Sequence, residues 1–179
     1  LAVPRGAAVR DRLVLGIDPG TAVTGYGLVA MDARGQTTLV ECGVIRTAAR
    51  DALAKRLVEI HEGVSELILR HKPSRVAVES VFYARNVRTT IVLGHTRGVI
   101  LLAAASAGLE IDEFPPAEIK KAITGAGAAT KEQVQFMVAR LLRLKSAPQP
   151  ADAADGVAAA LCSCLSPERL RAIPLTNSR

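Results

Sequence analysis

The chain has no tryptophan, and only 3% of its residues are aromatic. Its core must therefore be filled by aliphatic side chains and alanine. Cysteine is scarce: Cys42, Cys162 and Cys164 make an odd number, with no CxxC spacing. That argues against a disulfide framework or a zinc ribbon and fits a reducing, cytoplasmic compartment. Cys162 and Cys164 fall in an apolar helical stretch and are expected only to pack. The three histidines, His61, His71 and His95, lack ligand-like spacing. The longest strongly apolar run, 99–109, is too short to cross a bilayer, so no membrane partner is expected. No apolar stretch precedes Leu13, and residues 1–11 read as a basic arm rather than a signal peptide. No repeat or compositional break divides the 179 residues. One domain is expected over 12–166, followed by an irregular tail over 167–179.

Acidic residues are also in the minority. There are 17 against 23 Lys and Arg, a formal net charge of +6. Such an excess serves solubility equally well, but it suits a phosphate backbone as partner.

The patterning predicts an α/β fold. Residues 13–17 read as an apolar strand ended by the turn signal Asp18-Pro19-Gly20. Strands over 25–31 and 37–46 follow, joined by a hairpin at 32–35, giving an antiparallel meander. Apolar residues at helical spacing place an amphipathic helix over 51–71. A buried strand over 75–79, a helix over 89–107 and a strand over 110–114 form a crossover unit, so those two strands run parallel. Pro115-Pro116 opens a short helix, and Thr130 with Gln133 forms a capping box for the next. A last helix covers 152–165. The sum is a five-stranded mixed sheet with helices on both faces.

Four acids stand out. Asp18 and Glu79 end the first and fourth strands and meet if those strands are neighbours. Asp152 and Asp155 are spaced i, i+3 and share a helix face. Each pair of bare carboxylates 4 Å apart would repel by ~4 kcal/mol at an effective dielectric near 20. Divalent cations resolve that repulsion, and Mg²⁺ prefers oxygen ligands. Plainer readings exist: Asp18 as a turn former and Asp152 as a helix N-cap. Glu79 is harder to dismiss, because a lone carboxylate ending an apolar strand is costly to bury.

Leu15-Gly-Ile-Asp-Pro-Gly-Thr-Ala-Val-Thr-Gly-Tyr-Gly27 resembles the first-strand motif of the RuvC resolvases. Val78-Glu-Ser-Val-Phe-Tyr-Ala-Arg-Asn86 resembles their second motif, and Pro148-Gln-Pro-Ala-Asp-Ala-Ala-Asp155 their third. The match runs in order over about 13–165. The resemblance implies a ribonuclease H-like fold with Asp18, Glu79, Asp152 and Asp155 as catalytic metal ligands. It implies Mg²⁺, two ions per active site, with Mn²⁺ able to substitute. It also implies a homodimer that cuts a four-way DNA (Holliday) junction symmetrically, and work alongside the RuvA-RuvB branch-migration complex. Gly156 departs from the commoner pattern, and at that point it is expected to loosen the helix by up to ~1 kcal/mol.

For DNA contact, Phe82 is expected to stack on or wedge between bases, with Tyr83 beside it. Arg85, Arg88, Lys120, Lys121 and Lys131 are candidate phosphate contacts, with Arg97 on the same segment as the arginines. Lys120 and Lys131 align with lysines near the family's active site, and either could stabilise charge on the scissile phosphate, with Lys131 the candidate catalytic residue. In the 125–129 loop, poor in polar side chains, contacts must come from backbone N–H groups. Gly94 and Gly98 permit close approach, either of the chain's own sheet or of a second copy.

Three rivals remain. Gly16-Ile-Asp-Pro-Gly-Thr21 also resembles the phosphate-binding turn of actin-like sugar kinases, which need a second domain for which 179 residues leave no room. A ribonuclease H acting on RNA–DNA hybrids would use the same metals. A non-catalytic junction-binding module would gain nothing from acids facing phosphate.

Overall fold

A computed structural model describes residues 12–80 and 86–166. The expected arm and tail lie outside them. Five strands form one sheet: β1 (Arg12–Asp18), β2 (Val23–Met31), β3 (Thr37–Arg46), β4 (Arg75–Glu79) and β5 (Glu110–Phe114), in the order β3-β2-β1-β4-β5. β1, β2 and β3 pair antiparallel, while β4 lies parallel to both β1 and β5. The helices are α1 (Leu53–His71), α2 (Val87–Ser106), α3 (Pro116–Thr124), α4 (Lys131–Leu141) and α5 (Ala151–Cys164). The expected mixed sheet is present, with its strands in the expected directions.

Boundaries moved where caps decide them. α2 starts two residues early because the Asn86 side chain accepts a hydrogen bond from the Arg88 N–H at 2.8 Å. α1 starts two residues late, after a turn in which the Asp51 N–H reaches the Ala48 carbonyl at 3.0 Å. The hairpin at Asp32 forms as read, its carboxylate accepting from the N–H groups of Arg34 and Gln36 at 2.8 and 2.9 Å. The capping box also forms. Thr130 Oγ1 accepts from the Gln133 N–H at 3.3 Å, and Gln133 Oε1 from the Thr130 N–H at 2.8 Å.

Strand alternation sends side chains to two cores. Leu15, Ile17, Leu28, Val76 and Val78 face α1 and α2. Val14, Val29, Met31 and Ala77 face the layer of α3, α4 and α5. α5 is the most enclosed element, buried at every residue from Gly156 to Cys164. α2 is 20 residues long and mostly apolar. By length and composition alone it could cross a membrane, contrary to the expectation drawn from the run 99–109, because the tract extends upstream through Arg97. Here it covers one face of the sheet, burying Thr96, Ile100, Ala103 and Ala104.

Glycines bring α5 onto the sheet backbone. A Cβ on Gly16 of β1 would collide with the Gly156 carbonyl and with Ala160. One on Gly25 of β2 would collide with the Asp152 carbonyl, and one on Gly27 would meet the Val157 backbone at 2.6 Å. Gly156 answers from the helix side: its Cβ would stand 2.6 Å from Tyr26 Cα. This corrects the reading of Gly156 as a loosened helix position. Whatever helical propensity it loses is exchanged for contact between backbones. Gly94 and Gly98 behave differently, since a Cβ at either would meet nothing within 4 Å. They do not pack on the chain's own sheet.

These collisions involve main-chain atoms that cannot rotate away, so Gly16→Ala should act as overpacking and cost about 1–3 kcal/mol. Urea unfolding should show a lowered midpoint. A midpoint equal to that of the unaltered chain would contradict this account of the α5 seam.

Candidate active site

Period-two alternation places Asp18 on the same face as Val14 and Gly16, and Glu79 on the same face as Ala77. That is the face covered by α5. Ile17 pairs with Val78 in the parallel register, so Asp18 and Glu79 come next, side by side, at the carboxyl ends of β1 and β4. The glycine seam then presses the start of α5 against this edge. Asp152 lies in the first turn of α5, where Pro150 is the N-cap residue and no side chain caps the helix. The plainer reading of Asp152 as an N-cap is therefore wrong, and its carboxylate is left for the site.

Oxygens of Asp18, Asp152 and Asp155 lie within 4.8 Å of one another. Glu79 adjoins the group on the Asp18 side, near enough to share a proton with it. All four acids are half-buried. Burial, reinforced by the charges of Glu79, Asp155 and Asp152, pushes the Asp18 carboxyl up to about 8 from its ordinary 3.8. Burial also raises Glu79, with Asp155 adding to the effect and with Asp18, Lys131 and Lys120 opposing it. An all-oxygen donor set with this much unrelieved negative charge is the chemistry of a hard divalent cation site.

Lysines border the acids. Lys131, at the start of α4, donates to Asp155 Oδ2 at 2.6 Å, and that bond raises its own pKa. Glu79, Asp155, Lys120 and Lys131 line one cleft of about 310 Å³ with Pro116, Ile119, Val134 and Ala158. Lys121 does not join them. It faces a separate groove with Phe114, Glu118 and Cys162. Arg97 forms an ion pair with Glu113. Arg88 is exposed in the first turn of α2. Phe82, Tyr83 and Arg85 lie outside the described residues.

Sequence reasoning missed the hydroxyl bonds that hold the turn after Asp18. The hydroxyls of Thr21 and Thr96 hydrogen-bond at 2.7 Å, both residues being buried. Thr47 Oγ1 donates to the Thr21 carbonyl at 2.6 Å, and Thr24 Oγ1 to the Gly20 carbonyl at 2.7 Å. The available signal was Thr96, a hydroxyl in the middle of an apolar helix, which needs a partner when buried.

The family model for crossover junction endodeoxyribonuclease RuvC matches residues 14–163. The Moorella thermoacetica protein of that name is 50% identical over 150 residues, covering 84% of this chain and 89% of the relative. The solved structure of Thermus thermophilus RuvC superposes with a TM-score of 0.79 at 36% identity, covering 86% of this chain and 93% of that one. The T. thermophilus RuvC structure in complex with Holliday junction substrate gives 0.78 at 33% identity over the same shares. These matches bear out the ribonuclease H-like fold.

The raised Asp18 carboxyl sets a pH dependence for the metal-free protein. The native state keeps this proton up to about pH 8, whereas an unfolded chain releases it near 3.8. The native state therefore binds more protons across that window, and stability falls as pH rises through it. In EDTA, the melting temperature should drop between pH 5 and 8.5, and Asp18→Asn should flatten the drop. Parallel pH profiles for the two proteins would contradict the assignment.

Proposed function

From the premise that this chain belongs to the RuvC family of crossover junction endodeoxyribonucleases, we propose that it resolves Holliday junctions by divalent-metal-dependent hydrolysis of DNA phosphodiesters. The observation that carries this reading is the convergence of Asp18, Asp152 and Asp155 beside Glu79 in a cleft bordered by Lys120 and Lys131. Asp18, Asp152 and Asp155 would hold one Mg²⁺, and Glu79 with Asp18 would support a second; Mn²⁺ offers the same hard-cation chemistry. When bound there, such ions would activate a water and stabilise charge on the leaving oxygen.

The chain's own groups then divide the remaining work. Asp155 positions the Lys131 ammonium through their hydrogen bond, so that positive charge stands where the phosphate gains negative charge. Lys120 adds a second cation at the cleft wall. Arg88, Lys121 and Arg85 hold backbone phosphates farther out. Phe82, with Tyr83 beside it, wedges between bases at the opened crossover.

Symmetric cutting needs two copies. The exposed face of α2 carries Val87, Ile91 and Leu102, which are 76%, 55% and 57% exposed. Gly94 and Gly98 sit between them with open space above. This stripe supports a homodimer contact through α2. The same reading places the enzyme in the cytoplasm, away from membranes, acting with the RuvA-RuvB branch-migration complex.

The test is a synthetic four-way junction with each strand labelled in turn. Paired nicks in opposing strands should form with Mg²⁺ and none with EDTA. Asp155→Asn should reduce nicking to background while binding in EDTA is retained or tightened, because a negative charge facing phosphate has been removed. Phe82→Ala should slow cleavage more than it weakens attachment. Efficient cutting of an RNA–DNA hybrid with junctions left intact would overturn this reading in favour of a ribonuclease. Loss of binding together with cleavage in Asp155→Asn would assign that acid a structural role.

A further inference from the structure

A further cavity, of about 340 Å³, opens beside Thr21 and Ala22, in the turn that follows Asp18. Its lining is Thr21, Ala22, Arg56, Arg88, Thr89, Val92 and Leu93. Two arginines are among these residues and no acidic residue is. Among the described residues neither Arg56 nor Arg88 forms an ion pair, and both lie on this one cavity. Two uncompensated cations around one concavity call for an anion from outside the chain.

The cavity is held firmly. Arg56 Nε donates to Thr47 Oγ1 at 2.9 Å, and the Thr47 hydroxyl in turn donates to the Thr21 carbonyl at 2.6 Å. The Thr47 N–H bonds the Ala22 carbonyl at 3.1 Å. Arg56 is thus half-buried with one nitrogen engaged, which pre-orients the remaining N–H groups of its fork. Arg88 and Thr89 lie in the first turn of α2, whose positive end adds to the field. Thr21 follows Asp18 by three positions, so their Cα atoms are at most about 11 Å apart. Anything bound in the cavity sits a few nucleotides or less from a phosphate held at the acids.

We propose that the cavity between Arg56 and Arg88 seats a non-scissile backbone phosphate of the bound DNA. This rests on the resolvase reading and adds to it a ligand for Arg56 and a partner for Arg88. A phosphodiester suits the site because a guanidinium fork matches two of its oxygens and Thr89 offers a hydroxyl. With one phosphate fixed here and another at the acids, the sugar-phosphate chain is held at two points, which sets which bond lies over the cleft.

The experiment is equilibrium binding of a fluorescently labelled four-way junction to the full chain in EDTA, across a salt series. Each phosphate contact contributes about 0.9 to the slope of log affinity against log salt. Arg88→Gln and Arg56→Gln should each make the slope shallower by about that amount, and should weaken binding to the same degree whatever the junction sequence. Arg56→Lys should keep the wild-type slope, because it keeps the charge. Arg88 makes no side-chain hydrogen bond in the described structure, so Arg88→Gln carries the test even if Arg56→Gln unfolds. A steep wild-type slope that neither Gln variant changes would overturn the subsite while leaving the resolvase reading intact. Wild-type protein with no salt-sensitive junction binding would overturn both.

Discussion

Backbone contact between α5 and the β1–β2 pair is the constraint from which the rest of the molecule follows. Gly16, Gly25 and Gly27 leave no side chain where the backbone of α5 comes closest to β1 and β2, and Gly156 does the same from the opposite side. An alanine-rich helix then lies flat on the sheet and is buried along most of its length. The consequence for chemistry is positional. The Asp152 carbonyl rests against Gly25, and Asp18 ends the strand paired with that residue. Acids separated by more than a hundred positions in the chain are brought to one sheet edge by the absence of side chains between them.

That convergence works against electrostatics. Half-buried carboxylates within a few ångströms repel, and Asp18 responds by holding its proton to about pH 8 when no cation is present. The site is therefore preorganised for positive charge at the expense of the metal-free fold. Lys131 relieves part of this through Asp155, and it owes its place to the Thr130–Gln133 capping box that starts α4. The repulsion is local, and the surrounding packing sustains it. The same turn that carries Asp18 is fastened on its far side by the hydroxyls of Thr21, Thr96 and Thr47, so the acids and the arginine cavity are set by one rigid segment.

Much of this was legible in the chain itself. Strand periodicity gave the sheet, and Asp18 and Glu79 could be placed at strand ends before their neighbours were known. The i, i+3 spacing of Asp152 and Asp155 announced a shared face. Tertiary facts were less accessible. Gly156 looked like a weak helix position, because propensity describes an isolated helix and its reason lies across the interface at Tyr26. Arg97 and Arg88 looked alike on one segment, yet one is neutralised by Glu113 and the other is not. Lys120 and Lys121 are adjacent in sequence but fall on different faces of α3, one in the cleft and one away from it. Arg56 carries no signal in the sequence, since a basic residue on an amphipathic helix reads as a solvated charge.

The most direct measurement of the central claim is a crystal of the protein soaked in Mn²⁺, with the ions located by anomalous scattering. The account predicts a peak bridging the carboxylates of Asp18, Asp152 and Asp155, with a second beside Glu79 when DNA is present. Crystals that take up Mn²⁺ elsewhere and show no peak among those three aspartates would contradict it.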